Sequence, residues 1–214
     1  MIAVATLPLV EGTAEAPAAP PVPQSAGEPE SPSPEQIALL LRDALAQAVA
    51  THAPDAHWLP DGQPPVIAPE PAPAAEPSVC VAAGGCLAAG TAIFSGHADI
   101  ARAENTGWVG LAIHTADPTI LNCAGDVDGC VAGLSPHGAT MVTRSITPTA
   151  NPNAMTGPVL MTTRLVAIEL PGGQILELTV NRSKYPDDES DLVLTEAELI
   201  LIADDIASLI GDSL

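Results

Sequence analysis

From Val159 to Asn181 the chain reads VLMTTRLVAIELPGGQILELTVN, two runs rich in β-branched and apolar residues separated by Pro171-Gly172-Gly173. Alternation with a period of two, interrupted by a proline and two glycines, predicts an antiparallel hairpin with strands over 159–170 and 174–181. In the second run Leu176, Leu178 and Val180 share one face, while Glu177 and Thr179 share the other. This is the pattern of a sheet with one dry side and one wet side, and the dry side needs a covering layer.

Two amphipathic helices can supply that layer. Ser33-Pro34-Glu35-Gln36 carries the signals of a helix start: a serine N-cap, a proline where a missing N–H costs nothing, and a glutamine that closes a capping box. The helix is predicted over 34–50, with Ile37, Leu40, Leu41, Ala44, Leu45 and Ala48 as its apolar stripe. Thr195-Glu196-Ala197-Glu198 forms a second capping box. It opens a helix to about Ile210 that carries Leu199, Ile202, Ile206 and Leu209 on one stripe and Gly211 as its stop. Further strands are predicted over 91–95, 108–115 and 139–146. The expectation is an α+β domain: an antiparallel sheet of about five strands covered by an N-terminal and a C-terminal helix.

The remainder of the chain is punctuated by proline. Its 23 prolines and 17 glycines among 214 residues are unevenly spread, and residues 11–32, EGTAEAPAAPPVPQSAGEPESP, have too little apolar area to fold. Residues 1–32 are therefore read as a disordered Pro/Ala-rich tether and 33–214 as a single domain. A Pro-rich linker at about 54–77, with DGQPP and APEPAPAAEP, is expected either to be disordered or to lie over the domain surface. The opening MIAVATLPLV is apolar but lacks the basic flank of a signal peptide, since the first arginine is Arg42, and is read as the remnant of a membrane anchor.

Six basic residues against 26 acidic ones give a formal charge of −20, which repels phosphate backbones and anionic headgroups and excludes nucleic acid as a partner. No motif announces catalysis. His52, His57, His97, His114 and His137 show no H-x-x-x-H or HExxH spacing, and Ser135 and His137 are neighbours in a turn, an adjacency that does not provide a nucleophile with an oriented base. No phosphate loop, dinucleotide fingerprint or nucleophile elbow is present, so no catalytic, cofactor-binding or metal-binding residue is assigned. Trp108 is expected in the core or at its edge, and Trp58 is expected to tuck the linker against the domain.

Four cysteines form two local pairs, Cys80-x5-Cys86 and Cys123-x6-Cys130. Zinc knuckles and thioredoxin-type sites want shorter spacings. Asp126-Val127-Asp128-Gly129, inside NCAGDVDGC, starts like a calcium loop but lacks the closing glutamate. Cys123, Cys130, Cys80 and Cys86 are therefore disulfide candidates, with the aspartates facing water. Reduced cytosolic thiols and a metal-thiolate site are the alternatives.

From about Gln36 to Asp205, the order of a leucine-rich helix, NCAGDVDGC, GATMVTRSI, GPVLMTTRLVAIELPGGQILELTVN, an acidic interval and LTEAELILIAD resembles a family of actinobacterial extracytoplasmic domains. Its members are lipoproteins or sit behind one membrane anchor, sometimes beside extracytoplasmic-function sigma factors. Their anchor or lipid-attachment cysteine precedes the tether, where this chain has Met1–Val10, and Cys80-x5-Cys86 lies outside their pattern. The resemblance implies location and non-enzymatic character without a ligand. The expected function is an exported or membrane-tethered sensing or interaction module that meets an unknown protein partner or envelope ligand. The alternative is a cytosolic acidic accessory protein that docks a basic partner, and a hydrolase using His137 or a carboxylate pair is a distant third.

Overall fold

The structure, a computed structural model, describes residues 32–70, 80–81, 85–86, 92–115, 120–123, 129–146, 160–184 and 192–211. The chain divides into Met1–Glu30 and Ser31–Leu214, and every described residue belongs to the second unit. Residues 1–31, most of NCAGDVDGC including Asp126 and Asp128, and the acidic run before Leu192 lie outside the described residues.

The elements run α1 (Pro34–His52), β1 (His57–Leu59), β2 (Ala68–Pro69), β3 (Cys80–Val81), β4 (Gly85–Cys86), β5 (Ala92–Arg102), β6 (Asn105–His114), β7 (Cys130–Leu134), β8 (Thr140–Ile146), β9 (Leu160–Glu169), β10 (Ile175–Lys184) and α2 (Glu196–Ile210). One open sheet has the order β1-β5-β6-β10-β9-β8-β7, with β2 also on β5, and all its pairings are antiparallel. The α+β class with two flanking helices is as expected, but the sheet has eight strands rather than about five.

The strand predicted over 91–95 forms as the first half of β5, which runs on to Arg102 through GHAD, where Gly96 and Ala98 offer little apolar contrast to His97 and Asp99. The strands of this sheet not predicted are β1, β2 and β7. In β7 the four residues after Cys130 are all exposed, so burial imposes no alternation there. β1 and β2 are two or three residues long and arise from the stretch read as linker, where Trp58 pairs with Ile100 and Ala68 with Ser95. Cys80 and Cys86 face each other in the separate β3-β4 ladder, and their side chains lie outside the described residues.

The predicted hairpin forms as β9 and β10, in register from Ile175 opposite Glu169 to Lys184 opposite Leu160. Its turn needs glycine: Gly172 and Gly173 have φ of 92° and 84°, and the Gly173 N–H donates to the Leu170 carbonyl at 3.0 Å. Both capping boxes are present, at Ser33/Gln36 and at Thr195/Glu198. Gly211 caps α2 in a right-handed conformation.

The core lies between the helices and one sheet face. Leu41 and Leu45 of α1, Leu199, Ile202 and Ile206 of α2, and Leu111, Ile113, Leu176, Leu178 and Val180 of the sheet are fully or nearly fully buried. α2 lies over β9 and β10 and packs against α1, which reaches β2 at the sheet edge. Trp58 joins this core, as expected. Leu40 and Leu209 do not, being 47% and 55% exposed. Ala38, Val49 and Ile210 complete the buried faces, because the stripes centre one position away from the predicted ones.

Candidate functional site

On the face turned away from the helices, β5, β6 and β10 align cross-strand rows. Ser95, Ala112 and Glu177 form one row, His97, Gly110 and Thr179 the next, and Asp99, Trp108 and Asn181 the third. Because Gly110 and Ala112 carry little or no side chain, the middle strand sinks between its neighbours. The result is a hollow of about 180 Å³ with Ser95 and His97 on one wall, Glu177 and Thr179 on the other, and Trp108 at its end. Trp108 leans over Gly110: a Cβ there would stand 2.6 Å from Trp108 Cζ3, so only glycine admits the indole in this position. The indole also meets the His97 ring, with centroids 5.8 Å apart and planes at 59°.

Polar groups converge on this hollow. The Ser95 hydroxyl donates to Glu70, next to β2. The Thr179 hydroxyl donates to Glu177 Oε1 at 3.3 Å, and Glu177 Oε2 lies 3.5 Å from Nε2 of the buried His114. Beyond Trp108 the face continues into a second hollow of about 390 Å³, lined by residues that include Leu59, Asp99, Thr106, Asn181 and Arg182. Trp108, expected in the core or at its edge, thus stands half-exposed between two concavities on the wet face and outside the helix-covered core.

A patch further along this face is covered. Leu165, Ala167 and Ile175 pack under Ile120 and Leu121, and Arg144 donates to the carbonyls of Ile120 and Asn122, each at 3.0 Å. A disulfide joins Cys123 to Cys130, with Cα atoms 5.7 Å apart, and pins this cover to β7. Of the two predicted pairs this one is described, and its place explains its use: it closes the lid over a small satellite core that the helices cannot reach.

Two further clusters join elements. Arg102, at the end of β5, makes a bidentate pair with Glu198 at 2.7 and 2.9 Å and reaches Asp55 at 2.5 Å. These hydrogen bonds hold Glu198 and Asp55 below their ordinary carboxylate range and raise Arg102 further. A depressed carboxylate stabilises the fold above its unfolded pKa, and this contribution is lost as pH falls through the folded value. Arg102→Met should therefore lower stability at neutral pH, chiefly through the lost pair with Glu198. The deficit relative to wild type should shrink below about pH 4, as read by urea unfolding across pH.

The second cluster involves α2. The buried carboxylate of Asp204, 3% exposed, accepts from the His137 ring at Nδ1 (2.5 Å) and from its backbone N–H (3.3 Å), and the neighbouring Asp205 meets His52 Nε2 at 2.7 Å. The carboxylate that orients His137 thus comes from 67 residues away. Its one sequence signal is an aspartate interrupting the apolar run ILIADDIASLI. Ser135 is not a partner in this arrangement, because it is buried and its hydroxyl accepts from the Ala139 N–H at 3.2 Å. No group of three or more metal-ligating side chains and no helix long and apolar enough to cross a membrane occurs among the described residues. No family model, no curated protein and no solved structure matches the chain.

Proposed function

We propose that this chain is a non-enzymatic, exported or membrane-tethered domain that acts as an interaction module at the bacterial cell envelope, of the kind that the actinobacterial resemblance implies. The observation that carries the reading is the partly covered sheet. Helices cover the apolar face and the Ile120–Leu121 segment covers Leu165, Ala167 and Ile175 on the other, while the strip over β5, β6 and β10 keeps a half-exposed tryptophan between two hollows. Buried aromatics are the rule in small domains, and an aromatic left on a wet face beside concavities is a feature of binding surfaces. The Cys123–Cys130 disulfide supports an oxidising compartment. The cytosolic alternative would use the same strip with reduced thiols.

The test places a photo-crosslinking amino acid at His97, on the strip, or at Leu209, an exposed position on α2. The chain is expressed in a high-GC Gram-positive host and irradiated on intact cells. A defined adduct from position 97 but not 209, recovered from the envelope fraction, is expected. Adducts from both positions alike, or adducts found only in the cytosolic fraction, would overturn the reading.

A further inference from the structure

The first of the two hollows beside Trp108, the one walled by Ser95, His97, Glu177 and Thr179, is too small for a typical small-molecule ligand. Such sites run to about 300–1,000 Å³, and this one holds about 180 Å³, room for the head of one side chain. Its walls specify the charge of that head. Glu177 lines it and Glu70 stands at Ser95, whereas the second hollow is lined by both Asp99 and Arg182, so the acidic character belongs to the first hollow. The chain as a whole carries a formal charge of −20. A carboxylate or phosphate would meet these groups with like-charge repulsion. A purely apolar group would strip water from Glu177, Thr179 and Ser95 without replacing their hydrogen bonds.

A cation satisfies both conditions, and an aromatic ring at the end of the hollow adds attraction for one. Among side-chain cations, guanidinium fits better than ammonium. It is planar and can lie along an indole, and its fork can bind a carboxylate through two bonds. The second hollow, on the far side of Trp108, prolongs the site into a strip, so the arginine belongs to an extended segment and not to a free amine. We infer that the strip receives an extended segment of a basic partner protein, with one arginine seated between Trp108 and Glu177. The inference rests on the open strip being the interaction surface and adds the chemistry of what it takes.

The probe is a capped hexapeptide with one central arginine flanked by serines and glycines, paired with the same peptide carrying citrulline, which keeps the shape and removes the charge. Of the two tryptophans, Trp58 is buried and Trp108 half-exposed, so a fluorescence change on titration reports Trp108. Calorimetry on the full, disulfide-intact chain at low salt gives the affinity. Glu177→Gln should weaken the arginine peptide about tenfold. Glu104→Gln, the same charge change at an exposed turn position, should weaken it less than about twofold. The citrulline peptide should bind at least about tenfold more weakly than its arginine counterpart.

Equal losses from Glu177→Gln and Glu104→Gln would reduce the effect to diffuse attraction and overturn the inference. Citrulline binding as tightly as arginine, with both peptides losing affinity in Trp108→Ala, would overturn the cation and leave the strip as the interaction surface. Absence of arginine binding would overturn the inference on its own, because the crosslinking from position 97 judges the strip independently.

Discussion

Leu178→Ala should lower the unfolding free energy by about 3 kcal/mol, while Thr179→Ala, one residue further along β10, should cost less than about 1 kcal/mol. Leu178 is 0% exposed at the centre of the sheet, opposite Leu111 of β6 and Val166 of β9. Its removal leaves a cavity walled by two paired strands and the helix layer, which cannot collapse without breaking ladders on both sides. Thr179 points to the open strip and gives up one weak hydroxyl contact with Glu177 at 3.3 Å. Urea denaturation of the two variants measures both values. Comparable costs would mean that the register of β10 is displaced by one residue, which would exchange the two faces of the sheet.

The Cys123→Ser/Cys130→Ser double variant should lose about 2.5 kcal/mol, the chain-entropy value for closing a loop this short. The sequence separation between the two cysteines is 7. Reductant should shift the wild-type unfolding curve by a similar amount, and any further shift that reductant produces in the double variant would report on Cys80 and Cys86. The effect should be local in kind. The lid formed by Ile120 and Leu121 over Leu165, Ala167 and Ile175 should exchange amide protons faster, while α1 and α2 keep their protection. On protein from its native host, alkylation under denaturing conditions without reductant should leave Cys123 and Cys130 unlabelled. Labelling of both would withdraw the support that the disulfide gives to the envelope reading.

The hairpin, both helices and both capping boxes were legible in the sequence, because each is a local arrangement in which neighbours along the chain satisfy one another. Ser33 with Gln36 and Thr195 with Glu198 need only three residues of context. The strip was not legible. Trp108 looks like a core residue in any local window, and only the register of three strands shows that it shares a face with His97, Glu177 and Thr179. The glycine that makes room for it, Gly110, looks like a strand weakener until its neighbour's indole is placed above it. Asp204 was hidden in the same way, since its partner His137 lies on a turn that nothing in α2 announces. The extra strands were lost for a different reason: β1 and β2 are too short to show a period, and β7 is exposed on both faces.

The position of β10 also fixes an order of events during synthesis. β6 and β9 become neighbours only through β10, which emerges after both, and α1 finds its principal partner in α2, the last of the described elements. A ribosome delivering this chain therefore exposes the unpaired edge of β6 and the bare leucine stripe of α1 until nearly the whole domain has left the tunnel. Contacts so distant along the chain close slowly, and open edges invite association with other chains in the meantime.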